Sequence, residues 1–420
     1  MSGDTAERAT PLGSRFHLLW AAYIISNTGT WIYRLTLPLL VLDLTGSALQ
    51  TAALYALEYG PFLLLSLPGG VLADRFDRKR LLVLGDLVAG MFAMTLAVMV
   101  SLGAAHLALI YVVALLLSSV EPIYHPAFQG WLPDLVDRSN LDRANALLQS
   151  SDNVVSLAGP VLAGGLVAFV GFEMAIYIDA FSFIASALII LLIRVTSRRT
   201  TPAEPPKPVR MVSGIREALR YITRENRPLL AGSLLFTGTN FAIWLIQANL
   251  VYYLTSYLHL SSTVVGVVFA AQGAGALLGS LIAPVVIRRL GNGRTIALST
   301  VAAGLTTALL AVFRDPVGVS VVSALVFTLG SMNVVAWFTL RQRIVRRDML
   351  GRVVAATRMI AFSSIPLASV IAGGLESALR NMVLIILIGA ALRALVGVLG
   401  LRSSLVRAEA RPLSDEPATR

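Results

Sequence analysis

Apolar residues run in stretches of about twenty, each closed by a short polar or charged turn. A bilayer core of ~30 Å takes about 20 apolar residues of helix. About twelve runs meet that length, at 17–43, 50–73, 81–102, 106–130, 145–170, 173–194, 229–255, 262–287, 295–312, 317–340, 353–378 and 381–402. The pattern predicts a transmembrane helix for each, and an even number leaves both termini on one side. One stretch reads differently. Residues 195–227 hold "TTPAEPPKPVR" and then "SGIREALRYITREN", a Pro-rich linker followed by a short basic amphipathic helix.

Composition strengthens this reading. Hydrophobic residues make up 56% of the 420 and charged residues 14%, with mean hydropathy +0.76. A soluble surface needs far more charge than that. The net charge of +11 would suit nucleic-acid binding only if the basic residues gathered on one soluble face. They are instead scattered between apolar runs, where the positive-inside rule accounts for them. Placing both termini in the cytoplasm puts 29 of the 34 Lys and Arg on that side. Arg314 and Arg380 fall outside, and Arg34, Arg358 and Arg393 fall within spans. The polar start, Met1 to Arg15, has no cleavable-signal pattern, so no processing is expected. With no Cys, disulfides, thiol catalysis and thiolate metal sites are excluded.

The linker divides the spans into six and six. "RFDRKR" at 75 and "RLGNGR" at 289 stand 214 apart, and Gln129 and Gln342 stand 213 apart. "RANA" at 143 and "RVVA" at 352, like Gly164-Gly165 and Gly373-Gly374, stand 209 apart. Such near-constant offsets favour an internal duplication. The expected architecture is an all-α membrane protein of two pseudo-symmetric six-helix bundles. The N-terminal bundle occupies 1–195, the cytoplasmic linker 196–227, the C-terminal bundle 228–403 and a cytoplasmic tail 404–420. Two such halves describe a rocking carrier with a site facing each side in turn.

Between the second and third runs the chain reads "GGVLADRFDRKR", six charges within seven positions after an unbroken apolar run. Gly70 permits close backbone approach, and Asp74, desolvated, suits the positive end of a helix. Gly70-Val-Leu-Ala-Asp74-Arg75-Phe-Asp77-Arg78-Lys79 resembles the conserved loop motif of the major facilitator superfamily, with Asp77 where that family usually has Gly. The resemblance implies the twelve-helix fold and casts Asp74 as an interdomain latch meeting the start of the eleventh span near Arg352. Arg75, Arg78 and Lys79 then hold the loop on the cytoplasmic side.

Three further passages resemble bacterial efflux carriers that include macrolide and enterobactin exporters: "ISNTGTWIYRLTLPLLVLDLTGS", "HPAFQGWLPDLVDRSNLDRANALLQS" and "GRVVAATRMIAFSSIPLASVIAGG". They imply export driven by proton entry, from the bacterial inner membrane. Gly159-Pro160-Val-Leu-Ala-Gly164-Gly165 resembles the antiporter motif of drug exporters, with one extra residue before the glycine pair. Its role is helix packing at a domain interface rather than chemistry.

Ionisable residues inside a span are functional candidates by default. Arg34 and Glu58 both sit ~12–14 Å from the outer ends of their spans, and pairing makes them either an anchor or a proton-sensitive latch. Glu121, His125 and Gln129 recur at i, i+4 and i+8 on one face of the fourth span, interrupted by Pro122 and Pro126. An acid beside a His brackets physiological pH, which makes this the leading candidate for substrate or proton contact. The arginine that the family usually carries in this helix has no counterpart. Asp179 is a further proton candidate, and Asp152 reads as helix-terminal. Asn27, Asn240, Gln247, Asn249, Gln272 and Asn333 either hydrogen-bond substrate or join helices. Trp31, Tyr33 and Trp244 form an aromatic wall or interfacial anchors.

No G-x-x-x-x-G-K-[ST] run supports an ATP-driven pump, and the four histidines are too scattered for a membrane-embedded enzyme. The expected protein is a monomeric secondary transporter without cofactor or metal. It exchanges protons for a lipophilic small molecule of drug, macrolide or siderophore type across the lipid bilayer. An importer of a small metabolite and a non-transporting receptor or scaffold remain as alternatives.

Overall fold

A computed structural model describes residues 12–137, 140–194, 211–346 and 349–407; within them the side chains of residues 66, 67, 70, 71, 74, 142, 211–215, 350, 351, 355 and 407 are not described. Every regular element among the described residues is a helix. Helices α1 to α5 are Ser14–Thr45, Ala48–Arg75, Arg78–Ser101, Leu107–Leu135 and Leu141–Leu192. The linker helix α6, Met211–Arg220, runs into a π-turn at Tyr221–Glu225. Next come α7 Arg227–Gln247, the short α8 Leu250–Tyr252 with a π-turn at Tyr253–Tyr257, and α9 Ser262–Leu290. Helices α10 to α14 are Asn292–Ala308, Pro316–Ile344, Leu350–Leu379, Met382–Arg402 and Ser404–Arg407.

Each apolar run therefore falls on helix, and nine helices among the described residues are long and apolar enough to cross a membrane. One of the nine, 143–192, spans two of the runs. It breaks at Gly171, whose φ of 85° is left-handed territory that glycine enters without steric cost. That break falls where runs 145–170 and 173–194 part.

The chain forms two compact units. The first takes residues 1–44 and 60–198, the second 45–59 and 199–420. Helix α2 is thus divided, its first turns grouping with the C-terminal helices. There Ala52 and Tyr55 pack with Leu245, Ala248 and Ala372, and a Cβ at Gly373 would stand 2.6 Å from Leu49 Cα. The linker helix also belongs to the second unit: Ala218, Tyr221 and Ile222 are buried with Leu229, Val345, Met349 and Val353. In the first unit, Phe16, Leu19, Leu82, Phe128, Trp131 and Ile190 head a buried apolar cluster.

Asp77, which replaces the family's usual glycine, is the N-cap of α3. Its backbone is extended (φ −62°, ψ 117°) and its side chain accepts from Arg80 N at 2.8 Å. A capping carboxylate satisfies one orphan N–H and faces the positive helix end. Asp77→Ala is expected to cost ~1 kcal/mol, read as a lowered thermal midpoint of the purified protein, whereas Asp77→Asn retains most of the cap.

Candidate functional site

Glu121, His125 and Gln129 all lie exposed along one edge of α4, while Pro122, Ala127 and Phe128 are buried on the other side. A row of exposed polar side chains on a membrane-spanning helix is costly against lipid and stable against water. Such a row is satisfied by water or by polar neighbours, and Glu121 finds one of the latter.

Arg34 of α1 reaches this edge, donating from a terminal guanidinium nitrogen to Glu121 Oε2 at 3.1 Å. Its guanidinium lies 5.6 Å from the centroid of the Trp31 ring. Trp31 is held in turn by α5: a Cβ at Gly159 would stand 3.1 Å from Trp31 Cγ, so glycine makes room for the indole. Glu58, which span depth alone sets level with Arg34, lies in the part of α2 that groups with the second unit.

Behind this pair, Tyr23 and Asn27 of α1 both donate to Asp152 Oδ1, at 2.5 and 2.9 Å. His125 lies within electrostatic reach of Asp152, as do Glu121 and Arg34 of Tyr23. The helix-terminal reading of Asp152 is thus replaced by a cross-helix one, since its acceptor oxygen ties α1 to α5. The Tyr23 ring packs on Phe128 at 4.9 Å, and Tyr124 stacks on Phe128 at 6.4 Å.

Asp86 escapes a reading of the sequence because it stands near the basic loop and passes for loop charge. It is buried, accepting from Ser186 Oγ at 2.6 Å and Tyr124 Oη at 3.4 Å, and so joins α3, α4 and the second limb of α5. Its place as the sixth residue of the run 81–102 was the available signal.

Asp179, on the second limb of α5, is fully buried, and neither carboxylate oxygen has a hydrogen-bond partner among the described residues. A Cβ at Gly29 would collide with Ser182 Oγ and stand 2.9 Å from Asp179 Oδ1, so this glycine of α1 is what admits the carboxyl. The charge of Arg34 lies within electrostatic reach. Arg34 thus pairs with Glu121 and lies within electrostatic reach of Asp179.

The loop motif binds the first unit together. Arg78 donates to Gly130 O at 2.7 Å and to Asp134 Oδ2 at 3.2 Å, and Lys79 Nζ donates to Leu191 O and Ile193 O, both at 2.9 Å. The last two bonds satisfy carbonyls at the end of α5, where a cation suits the negative end of the helix. Arg75 is exposed. The side chains of Gly70 and Asp74 lie outside the described residues. In the second unit, Arg352 ion-pairs with Glu217 of the linker helix. Within the antiporter-like motif, Gly159 and Pro160 are buried and Gly164 likewise, whereas a Cβ at Gly165 would meet nothing within 4 Å.

Second-unit amides mostly join helices. Gln247 donates to Gln272 Oε1 at 2.8 Å, Asn249 to Ala372 O at 2.8 Å, and Asn333 to Thr300 Oγ1 at 2.7 Å. Asn240 differs, for its buried amide nitrogen has no partner among the described residues. Trp244 is bracketed by Tyr55 and Tyr59, with centroids 5.4 and 5.0 Å away. No group of three or more His, Asp or Glu able to hold a metal occurs among the described residues.

A family model described as transmembrane secretion effector matches residues 8–418, nearly the whole chain. The chain belongs to this family of the major facilitator superfamily. Among curated relatives of this facilitator, the multidrug efflux pump Tap of Mycobacterium tuberculosis is 27% identical over 376 residues, covering 87% of the chain and 88% of Tap. The enterobactin exporter EntS of Salmonella typhi is 25% identical over 339 residues, 80% of each. Among solved structures, a mutant of the nucleoside transporter NupG superposes with a TM-score of 0.77 at 14% identity, covering 93% of this chain and 99% of that one. A bacterial homologue of the iron transporter ferroportin, in its inward-facing state, gives 0.69 at 19% identity, covering 93% and 99%. Both likenesses show the facilitator fold. This facilitator is an integral membrane transporter.

Proposed function

We propose that this facilitator is a proton-coupled exporter of lipophilic small molecules in the bacterial inner membrane, with both termini cytoplasmic. It works by alternating access between an N-terminal and a C-terminal six-helix bundle. The observation that carries the reading is the exposed Glu121, His125 and Gln129 edge of α4, a polar row in an otherwise apolar span whose carboxylate pairs with Arg34. Relatives named multidrug efflux pump and enterobactin exporter support the outward direction.

In this reading Arg34 is the central charge. It holds Glu121 in an ion pair and lies within reach of Asp179, so a proton arriving at either carboxyl changes which acid the guanidinium favours. Asp152, accepting from Tyr23 and Asn27, holds α1 to α5. Glu58 is a further proton candidate, and the proposed solute contacts are Asn27, Trp31 and Gln129 in the first unit and Asn240, Trp244 and Gln247 in the second.

Accumulation of lipophilic dyes and antibiotics in cells tests the proposal. Wild type is expected to lower accumulation, a protonophore to restore it, and Glu121→Gln, expressed equally, to weaken export of every substrate in the panel. Dye levels unchanged by wild type, or lowered equally with the protonophore present, would reject proton-driven export.

A further inference from the structure

Arg341, Arg358 and Arg393 lie in the second unit's membrane-spanning helices, where the acidic residues between Arg227 and Arg402 are only Asp315, Asp348 and Glu376. Their surroundings differ. Arg341 is 7% exposed and donates to Thr357 Oγ1 of α12 at 2.9 Å, and the Arg358 guanidinium lies 5.1 Å from the Phe362 ring. Arg393 of α13 has no such contact. It is 2% exposed, its Nε is buried without a hydrogen-bond partner, and no hydrogen bond or ion pair joins its guanidinium to any described residue. Among the described residues no charged group, Glu58 included, lies within its electrostatic reach.

Arginines near the end of a span extend their heads to interfacial water. Arg393 is too deep for that. It stands eleven residues from Met382 and nine from Arg402, the ends of α13, so ~14–17 Å of helix separates it from either interface. Close packing on both flanks also fixes its helix. A Cβ at Gly304 of α10 would stand 2.6 Å from Ala394 N, one at Gly397 would stand 2.6 Å from Val301 N, and one at Gly389 would stand 2.8 Å from Ile246 Cδ1 of α7. The side chain therefore runs into the bundle, toward α11. There a Cβ built on Gly330 would meet one atom from outside its own stretch of helix within 4 Å, Arg393 Nη2 at 3.4 Å. Gly330 is itself half-buried, so the room beside it is not closed off by a neighbouring side chain. A desolvated guanidinium thus faces room for a ligand at mid-span, where carriers place their substrate and ion sites.

We infer that Arg393 and the room beside Gly330 form a mid-membrane binding site for a small anionic group: a carboxylate, a sulfonate or a halide. The planar guanidinium fork suits such a group, and an anion there offsets the cost of burying the cation. Two sources offer this chemistry, the acidic group of a transported solute and an inorganic anion such as chloride. The first deepens the export reading and rests on it for physiological meaning, so the experiment separates the two.

Purified protein in phosphatidylcholine nanodiscs, with gluconate as the only other added anion, is titrated with 2-naphthoate, with chloride and with the cation 2-naphthylmethylammonium. Affinity and thermal midpoint are read together. Naphthoate or chloride is expected to raise the wild-type midpoint, because a ligand held by the folded state stabilises it. Arg393→Gln is expected to weaken anion binding about tenfold or more and Arg393→Lys to retain part of it. Gly330→Val, which keeps the charge and fills the room, is expected to weaken it as Arg393→Gln does. The exposed helix-end control Arg289→Gln is expected to bind as wild type, and affinity for the cation is expected to be equal in wild type and Arg393→Gln. Naphthoate binding more tightly than chloride assigns the site to a solute's acidic group, and chloride binding more tightly assigns it to an inorganic anion; both support the site. If the midpoint of Arg393→Gln falls in gluconate alone, Gly330→Val and Arg393→Lys carry the test. Absence of wild-type binding for both anions, anion affinity indifferent to Arg393 and Gly330, or equal losses for anion and cation would overturn the inference. Binding is read without proton gradient or transport, so failure of the exporter reading leaves a different signature: an anion bound through Arg393 but no solute moved.

Discussion

Asp179→Asn protein, made at wild-type level, is expected to leave dye accumulation as high as in cells without the transporter, while still binding the dye. The substitution preserves size and removes only the ability to gain and lose a proton. Asp179 is enclosed by α1 and its own helix, with both oxygens unpartnered among the described residues and Arg34 as a charge within reach. A carboxyl group in such a place is expensive as an isolated anion, so its occupancy by a proton is tied to the position of the nearest cation. An amide has no ionisation cost, and the variant is therefore expected to be at least as thermostable as wild type. That separates loss of coupling from loss of fold. Substrate exchange between equal concentrations, which needs no net proton movement, is expected to survive in Asp179→Asn. Retention of uphill export with unchanged pH dependence would remove Asp179 from the coupling route and leave Glu121 and Glu58.

The largest structural effect is expected at Gly279. A Cβ there would strike Thr328 O, and one at Gly275, a turn earlier, would strike Ala324 O. These glycines let the backbones of α9 and α11 touch, a small-xxx-small contact of the kind that holds helices together in lipid. The struck atoms are backbone carbonyls, which cannot swing aside as a flexible side chain would. Gly279→Val is expected to cost ~3 kcal/mol or more, through overpacking and separation of the two helices. The readout is the fraction of protein eluting as a monodisperse peak after heating, with a marked fall in midpoint. Gly165→Ala, where a Cβ meets nothing within 4 Å, serves as the comparison and is expected to behave as wild type. Equal behaviour of the two variants would show that α9 and α11 are not held by this contact.

Much of the membrane architecture is legible in the sequence because span length and loop charge are local properties. Gly171 needed only the end of one apolar run and the start of the next. The α4 edge was equally accessible, since Glu121, His125 and Gln129 share a face whatever surrounds the helix. Partners were not accessible in this way. Arg34 meets Glu121, 87 positions along the chain, and helix depth cannot reveal which face of which neighbour is presented. Asp86 was passed over, and Arg341 was placed with the loop charge that the positive-inside rule explains, for a common reason. Each lies close to a loop rich in charge, and sequence position cannot tell a side chain that reaches water from one that turns inward to Ser186 or Thr357.

By itself, the sequence determined that this is a helical membrane protein, along which stretches its apolar helices lie, and that most of the positive charge falls between them. The desolvation cost of backbone and charge in lipid enforces these features residue by residue. Tertiary structure alone decided that Asp152 binds Tyr23 and Asn27, that Asp179 is enclosed beside Gly29, that the first turns of α2 join the second unit, and that Arg341 turns inward to Thr357. Those outcomes depend on which helix faces meet. In lipid, where apolar burial does not distinguish one helix face from another, small residues and a few polar contacts between distant positions make that choice.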